Sequence, residues 1–302
     1  MMAPFNRPGL RFYTPTHRIS GPLLMVLATL LMTCMVVCIR IVPGQLHPFQ
    51  LAFFRNFFGL LALVTWQSGS GLGYLKTHRF RLHLGRGIFN LVAMLTFYSA
   101  VLITPIATIA ALNFTSPLFA SILAILVLKE PFRLRRLTVI AAGMMGVMII
   151  LRPGIQAFGW GPLLILFSAM MWAVSLIFIK ALSRTESSLT IATYMVLFTT
   201  PFSLLAVIPV WKWPGGEQLF WLLLVGLLGT AGQLCLAQAF KLAEASSVLP
   251  FDFLQLIWAA LLGFLFFGEV PDYWVAVGGI LIFLSTTYLA FKESGNSEIS
   301  VP

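Results

Sequence analysis

Long apolar runs separated by short polar breaks run the whole length of this chain. A helix needs about 20 residues to cross the ~30 Å hydrocarbon layer of a membrane. On that measure the pattern predicts ten spans among the 302 residues. The first half supplies them at about 20–40, 48–66, 85–103, 107–128 and 135–151. The second half supplies them at about 159–180, 189–210, 217–238, 246–267 and 272–291. Many of the breaks are a single turn, such as Pro43-Gly44, Thr104-Pro105, Pro153-Gly154 and Pro214-Gly215-Gly216, built from residues that stop a helix. A basic tail, 1–19, precedes the first span, and the apolar run after it is too long for a signal-peptide core and has no small-residue cleavage site. The first helix is therefore expected to be an uncleaved anchor, and residues 293–302 a disordered tail.

The apolar pattern repeats. Gly21-Pro22-Leu23-Leu24 returns as Gly161-Pro162-Leu163-Leu164, about 140 residues on, with Arg40 opposite Lys180. Leu112-Asn113-Phe114-Thr115-Ser116 lies over Phe251-Asp252-Phe253-Leu254-Gln255, and Glu130 over Glu269. The units are 20–154 and 159–292. Five spans per unit is an odd number, so the second copy enters the membrane upside down. The expected fold is an all-α polytopic membrane protein with ten transmembrane helices in two inverted five-helix repeats, an architecture that places a site near the midplane between the halves.

Composition agrees: the chain is 59% hydrophobic and 9% charged, with mean hydropathy +0.96, far more apolar than a soluble domain. The 19 Lys and Arg against 9 Asp and Glu give a formal charge of +10. That charge sits in short loops, with no basic amphipathic helix or recognition-helix pattern, so no nucleic-acid partner is expected. With the N-terminus inside, Arg40, Arg152 and Lys212 fall outside, Arg55 lies within a span, and every other Lys and Arg is cytoplasmic. The positive-inside rule thus predicts both termini in the cytoplasm. Equivalent loops bear this out, since Glu130 is followed by Pro-Phe-Arg-Leu-Arg-Arg and Glu269 by Val-Pro-Asp-Tyr-Trp. Cys34, Cys38 and Cys235 lie in apolar segments without His or carboxylate neighbours and are read as small buried hydrophobes.

Three stretches carry a family resemblance. Phe49-Gln50-Leu51-Ala52-Phe53-Phe54-Arg55 opens the second span, Asn113 to Lys129-Glu130-Pro131 closes the fourth, and Leu249-Pro250-Phe251 to Gly268-Glu269 is the counterpart in the second half. With them, the chain from about residue 20 to 292 resembles the EamA-type members of the drug/metabolite transporter superfamily. The resemblance implies a ten-helix carrier of a bacterial inner membrane. His47 to Arg55, Arg86-Gly87 and Leu254-Gln255-Leu256-Ile257-Trp258 particularly resemble members that take up bulky metabolites such as S-adenosylmethionine or riboflavin; other members export amino acids.

Polar groups inside hydrocarbon cost a few kcal/mol and each needs a reason. Asp252 is the one carboxylate clearly inside a span, a candidate for proton coupling or for binding a cationic group, against a helix-end carboxylate in a watery vestibule. Asn113 is its repeat partner, with Ser116 and Gln255 one turn further on the same faces. These four are expected to bind substrate together with the mid-span aromatics Tyr98, Trp172, Tyr194 and Trp258; Phe114, Phe253, Gln233 and Gln238 are further lining candidates. The alternative for each is helix packing, where a polar contact contributes ~0.6 kcal/mol. Arg55 is read as structural or anion-attracting, at a depth that separates it from Asp252. Trp66, Trp160, Trp211, Trp213, Tyr273 and Trp274 are expected interface anchors. Pro117 and Pro201 fall inside spans, and Pro117 follows the polar cluster as a candidate hinge.

No phosphate-cradling Gly-Lys-Ser/Thr loop, His-Glu-x-x-His, Cys-x-x-Cys or Gly-x-Ser-x-Gly occurs, and His17, His47, His78 and His83 are placed outside the spans. No enzyme chemistry, metal or cofactor is expected. The expected function is secondary transport of a small organic metabolite (an amino acid, vitamin or nucleoside-like compound) by alternating access, with the substrate and the lipid bilayer as partners. The alternative is a flippase for a lipid-linked substrate.

Overall fold

In the computed structural model the structure describes residues 15–44, 46–67, 77–127, 134–152, 159–182, 185–186, 188–242, 251–252 and 254–297. They form helices α1 (Pro15–Ile41), α2 (Pro48–Gln67), α3 (Phe80–Val101), α4 (Ile106–Asn113), α5 (Ser116–Val127), α6 (Leu134–Leu151), α7 (Trp160–Leu182), α8 (Ser188–Val207), α9 (Gly216–Leu242), α10 (Leu254–Phe267) and α11 (Tyr273–Ser297). No strand occurs among the described residues. Helix is the expected answer in lipid, where no water is present to satisfy backbone amides and carbonyls. Seven helical segments are long and apolar enough to cross a membrane, and Thr138–Leu151, Leu254–Phe267 and Tyr273–Tyr288 are shorter apolar helices. The seven lie at seven of the ten predicted positions, and the three shorter helices lie at the others. The protein is a multi-pass membrane protein, and its surface says the same: Leu126 is 70% exposed and Leu265 63%, exposures that suit lipid and not water.

Local chemistry sets the helix ends. α1 stops at Pro43-Gly44, where Gly44 takes φ +77°, a backbone region open to glycine. α2 starts at Pro48, which has no amide to leave unpaired, and the His47 ring nitrogen accepts from Phe49 N at 3.3 Å. α11 continues through residues 293–297, so the expected disordered tail is helical for its first residues. α3 begins at Phe80 instead of about 85. The stretch Arg81-Leu82-His83-Leu84, which hydropathy left before the span, is therefore helical, and His83 within it and Arg86 one turn on are buried.

The fourth span breaks. Pro117 cannot donate to the Asn113 carbonyl, and the helix ends at Asn113 and restarts at Ser116. The Ser116 hydroxyl takes the missing donor's place, donating to Asn113 O at 2.8 Å, while Thr115 Oγ1 donates to Leu112 O at 2.7 Å. Pro201, in contrast, sits inside an uninterrupted α8.

α1 packs on α9, α3 on α7 and α6 on α11; α2 contacts both α8 and α9, α3 also meets α8, and α4 lies among α7, α10 and α11. The core runs through the middle, with Ile39, Leu51, Val101, Leu112, Ile165 and Ile282 almost wholly buried. At the α6–α11 crossing the backbones touch: a Cβ on Gly146 would meet Gly278 O at 2.7 Å. Trp160, Trp213 and Tyr273 are exposed at the end of the bundle that carries Glu269, as expected of interface anchors. Trp211 is a correction. It lodges between Phe53 and Phe54, with ring centroids 5.8 Å from each. The Trp66 side chain lies outside the described residues.

Candidate functional site

α4 and α10 run antiparallel, since Gly263 faces Ile106 while Thr108 and Ala259 line one cavity. That register carries Asn113 to within about a turn of Gln255 and Asp252 in depth. All three are half-buried. Ser116 is buried and its hydroxyl is committed to the Asn113 carbonyl, so it shapes the break more directly than it offers a free group to a ligand. Trp258 on α10 is half-buried, and its indole N–H is buried without an acceptor among the described residues, a donor that costs free energy until something accepts from it. Trp172 is half-buried on α7. Gln233 is half-buried, Gln238 is exposed, and Phe253 lies outside the described residues.

The other two tyrosines lie apart. Tyr98, 2% exposed, lies near the C-terminal end of α3. The Arg55 guanidinium donates to Asn56 Oδ1 at 3.2 Å and lies against Gly229 of α9, where a Cβ would stand 3.1 Å from Nε. Tyr194 stacks on His83, with centroids 4.5 Å apart. His83 and Tyr98 sit on the same helix with ~22 Å of axis between them. The two tyrosines cannot line one small pocket, since they stand near opposite ends of α3.

Sequence reasoning missed the His83 end. His83 is 1% exposed and neither ring nitrogen has a partner among the described residues. Arg86, 5% exposed, is not a loop cation but donates to Ile191 O of α8 and reaches Met195 Sδ at 3.4 Å. The i, i+3, i+7 spacing of His83, Arg86 and Asn90 was the available signal, since all three face inward.

The helix break makes a testable hinge. Pro117→Ala restores the donor that Asn113 O lacks and should make Ser116 redundant. Fluorescence quenching between labels on α5 and α10 is expected to respond to substrate in wild type and not in Pro117→Ala; an unchanged response would sink the idea.

Long apolar helices with polar groups buried between them are the build of a polytopic helical membrane protein. The chain belongs to the EamA-like transporter family, which matches residues 19–152 and again residues 159–291. It is 36% identical to the riboflavin transporter of Vibrio cholerae over 74% of this chain and 76% of that one. To the riboflavin transporter of Rhizobium johnstonii it is 32% identical, over 92% and 93%. The S-adenosylmethionine uptake transporter of Rickettsia prowazekii is 28% identical over 82% and 85%. A crystal structure 19% identical shares the fold, with TM-score 0.60 over 88% of this chain and 94% of its own. The chain is a transporter, not an enzyme.

Proposed function

We propose that this chain is a secondary carrier of a bulky, partly aromatic metabolite of the riboflavin or S-adenosylmethionine class, working by alternating access in a bacterial inner membrane with both termini cytoplasmic. Ten spans form two inverted repeats, 20–154 and 159–292. The observation that carries the reading is the helix pairing. Exchanging α1 with α7, α2 with α8, α3 with α9, α4–α5 with α10 and α6 with α11 turns the α1–α9 pair into α7–α3, and α2–α9 into α8–α3. The α2–α8, α6–α11 and α4–α10 pairs map onto themselves. A bundle with that exchange has two related ways to pack, one open to each side.

Substrate binds where α4 packs on α10, on Asn113, Asp252, Gln255 and Trp258, with Ser116 holding the break and Trp172 contributed by α7, which packs on α4. Tyr98 with Arg55, and Tyr194 with His83, stand on the approaches from either end. Asp252 carries the charge and is the candidate for proton coupling.

Counterflow tests this directly. Proteoliposomes preloaded with riboflavin, S-adenosylmethionine, nucleosides and amino acids are expected to show saturable exchange of one class, read by mass spectrometry. Folded, inserted protein that exchanges none of them, yet scrambles a lipid-linked reporter, would establish the flippase reading in its place.

A further inference from the structure

One end of the bundle is tied shut between its two halves. Arg40, in the last turn of α1, pairs with the Glu269 carboxylate, and its guanidinium lies 4.5 Å from the centre of the Phe267 ring. The other Glu269 oxygen accepts from Ile106 N at 2.8 Å, one of the orphan amides that open α4. Both carboxylate oxygens are thus used by the first half, while Glu269 itself belongs to the second.

The backbone holds Glu269 in place. Gly268, at φ +65°, ends α10 with its amide on Phe264 O at 2.9 Å, and Glu269 N reaches Gly263 O at 3.1 Å, a left-handed helix cap that aims the next side chain. At Gly263 a Cβ would press on Glu269 Oε2 at 3.3 Å, so the fit is close on that side too.

Three more ties join the halves at the same end. Arg152 pairs with Asp272, Gln50 Nε2 donates to Lys212 O at 2.6 Å, and Gln218 Nε2 donates to Pro43 O at 2.7 Å. Beside Glu269 is a small pocket, partly open to the surface, whose lining includes Thr108, Ala259, Glu269 and Asp272.

We infer that Arg40, Glu269 and the amide of Ile106 form a latch that closes the end of the transport path which the charge rule places outside, and that it must release for the path to open there. The chemistry fits a switch. The pair is about one-fifth exposed on each side, so water can replace its bonds as the halves part. Glu269 gives up two charge-assisted bonds together, which makes the closed state discrete. The inference rests on the alternating-access reading above.

Two measurements test it, in protein whose Cys34, Cys38 and Cys235 are replaced by alanine. In the first, Thr108→Cys reports access from that end through its reaction rate with a membrane-impermeant maleimide, without any substrate. Glu269→Gln and Arg40→Gln are each expected to speed labelling about tenfold, the change that ~1.4 kcal/mol makes in an equilibrium. Monodisperse variants that label at the parent rate overturn the latch.

In the second, Arg40→Cys and Glu269→Cys are combined and bridged by a short bifunctional thiol reagent. Exchange is expected to fall to background and to return on reduction; bridged protein that still exchanges overturns the latch. This arm covers the case in which the glutamine variants fail to fold. Parent protein that labels as expected while neither it nor any variant exchanges substrate would overturn the transport reading and with it the latch's part in transport, whereas unchanged labelling beside intact exchange overturns the latch alone.

Discussion

Substrate exchange by Asp252→Asn is expected to fall about 100-fold below wild type. Asp252 is half-buried just before α10, and it forms no ion pair among the described residues. A carboxylate held at depth without a cationic partner is costly, and the cost is repaid if a ligand or a proton supplies the partner. Removing one member of a buried charged contact costs 2–5 kcal/mol, and ~1.4 kcal/mol is a factor of ten, which places the loss near 100-fold. Asp252→Glu keeps the charge and should retain more exchange than Asp252→Asn. The proton question is answered in the same vesicles: wild-type flux should follow an imposed pH gradient and Asp252→Asn flux should ignore it. Wild-type rates in Asp252→Asn would remove the residue from the site.

The largest loss of stability is expected from Gly278→Ala. Gly278 and Gly146 bring two backbones together, and a Cβ on Gly278 would stand 2.5 Å from Gly146 O and 2.6 Å from Ile150 Cγ1. A flexible side chain can swing away from such a clash, whereas a helix carbonyl cannot. The whole α6–α11 pair, which closes each half of the chain, must separate to accept one methyl group. Overpacking of this kind costs about 3 kcal/mol, and the temperature at which detergent-purified protein stops eluting as a single species should drop by about 10 °C. Gly216→Ala is the control, because nothing lies within 4 Å of its Cβ position. Equal melting of the two variants would show that this crossing tolerates side chains.

Hydropathy located the apolar helices because lipid leaves the backbone few choices, and the family matches each half separately. What sequence could not supply was direction around each helix. His83 looks like a loop residue by polarity and Arg86 like a cytoplasmic cation at the start of its span, yet α3 starts early enough to bury both against α8. Ser116 and Asn113 were legible as a polar pair, but not that the hydroxyl of one serves the carbonyl of the other, which follows from the amide that Pro117 lacks. Tyr98 and Tyr194 looked alike as mid-span aromatics, and only the helix axis shows how far apart they stand. Glu269 was visible as a repeated motif position; its hold on Arg40 and on the start of α4 depends on a contact between halves that no local pattern encodes.

The two ends of the molecule meet the membrane by different physics. Trp160, Trp213, Tyr273 and Trp274 present exposed rings at the Glu269 end, where indoles and phenols settle among lipid headgroups whatever the headgroup charge. The segments that the charge rule assigns to the opposite side hold most of the Lys and Arg in the sequence, whose attraction to anionic lipid is set by surface potential. With the orientation proposed above, a change in anionic lipid in one leaflet is expected to act on the basic side and to leave the side moored by its aromatic rings at the same height.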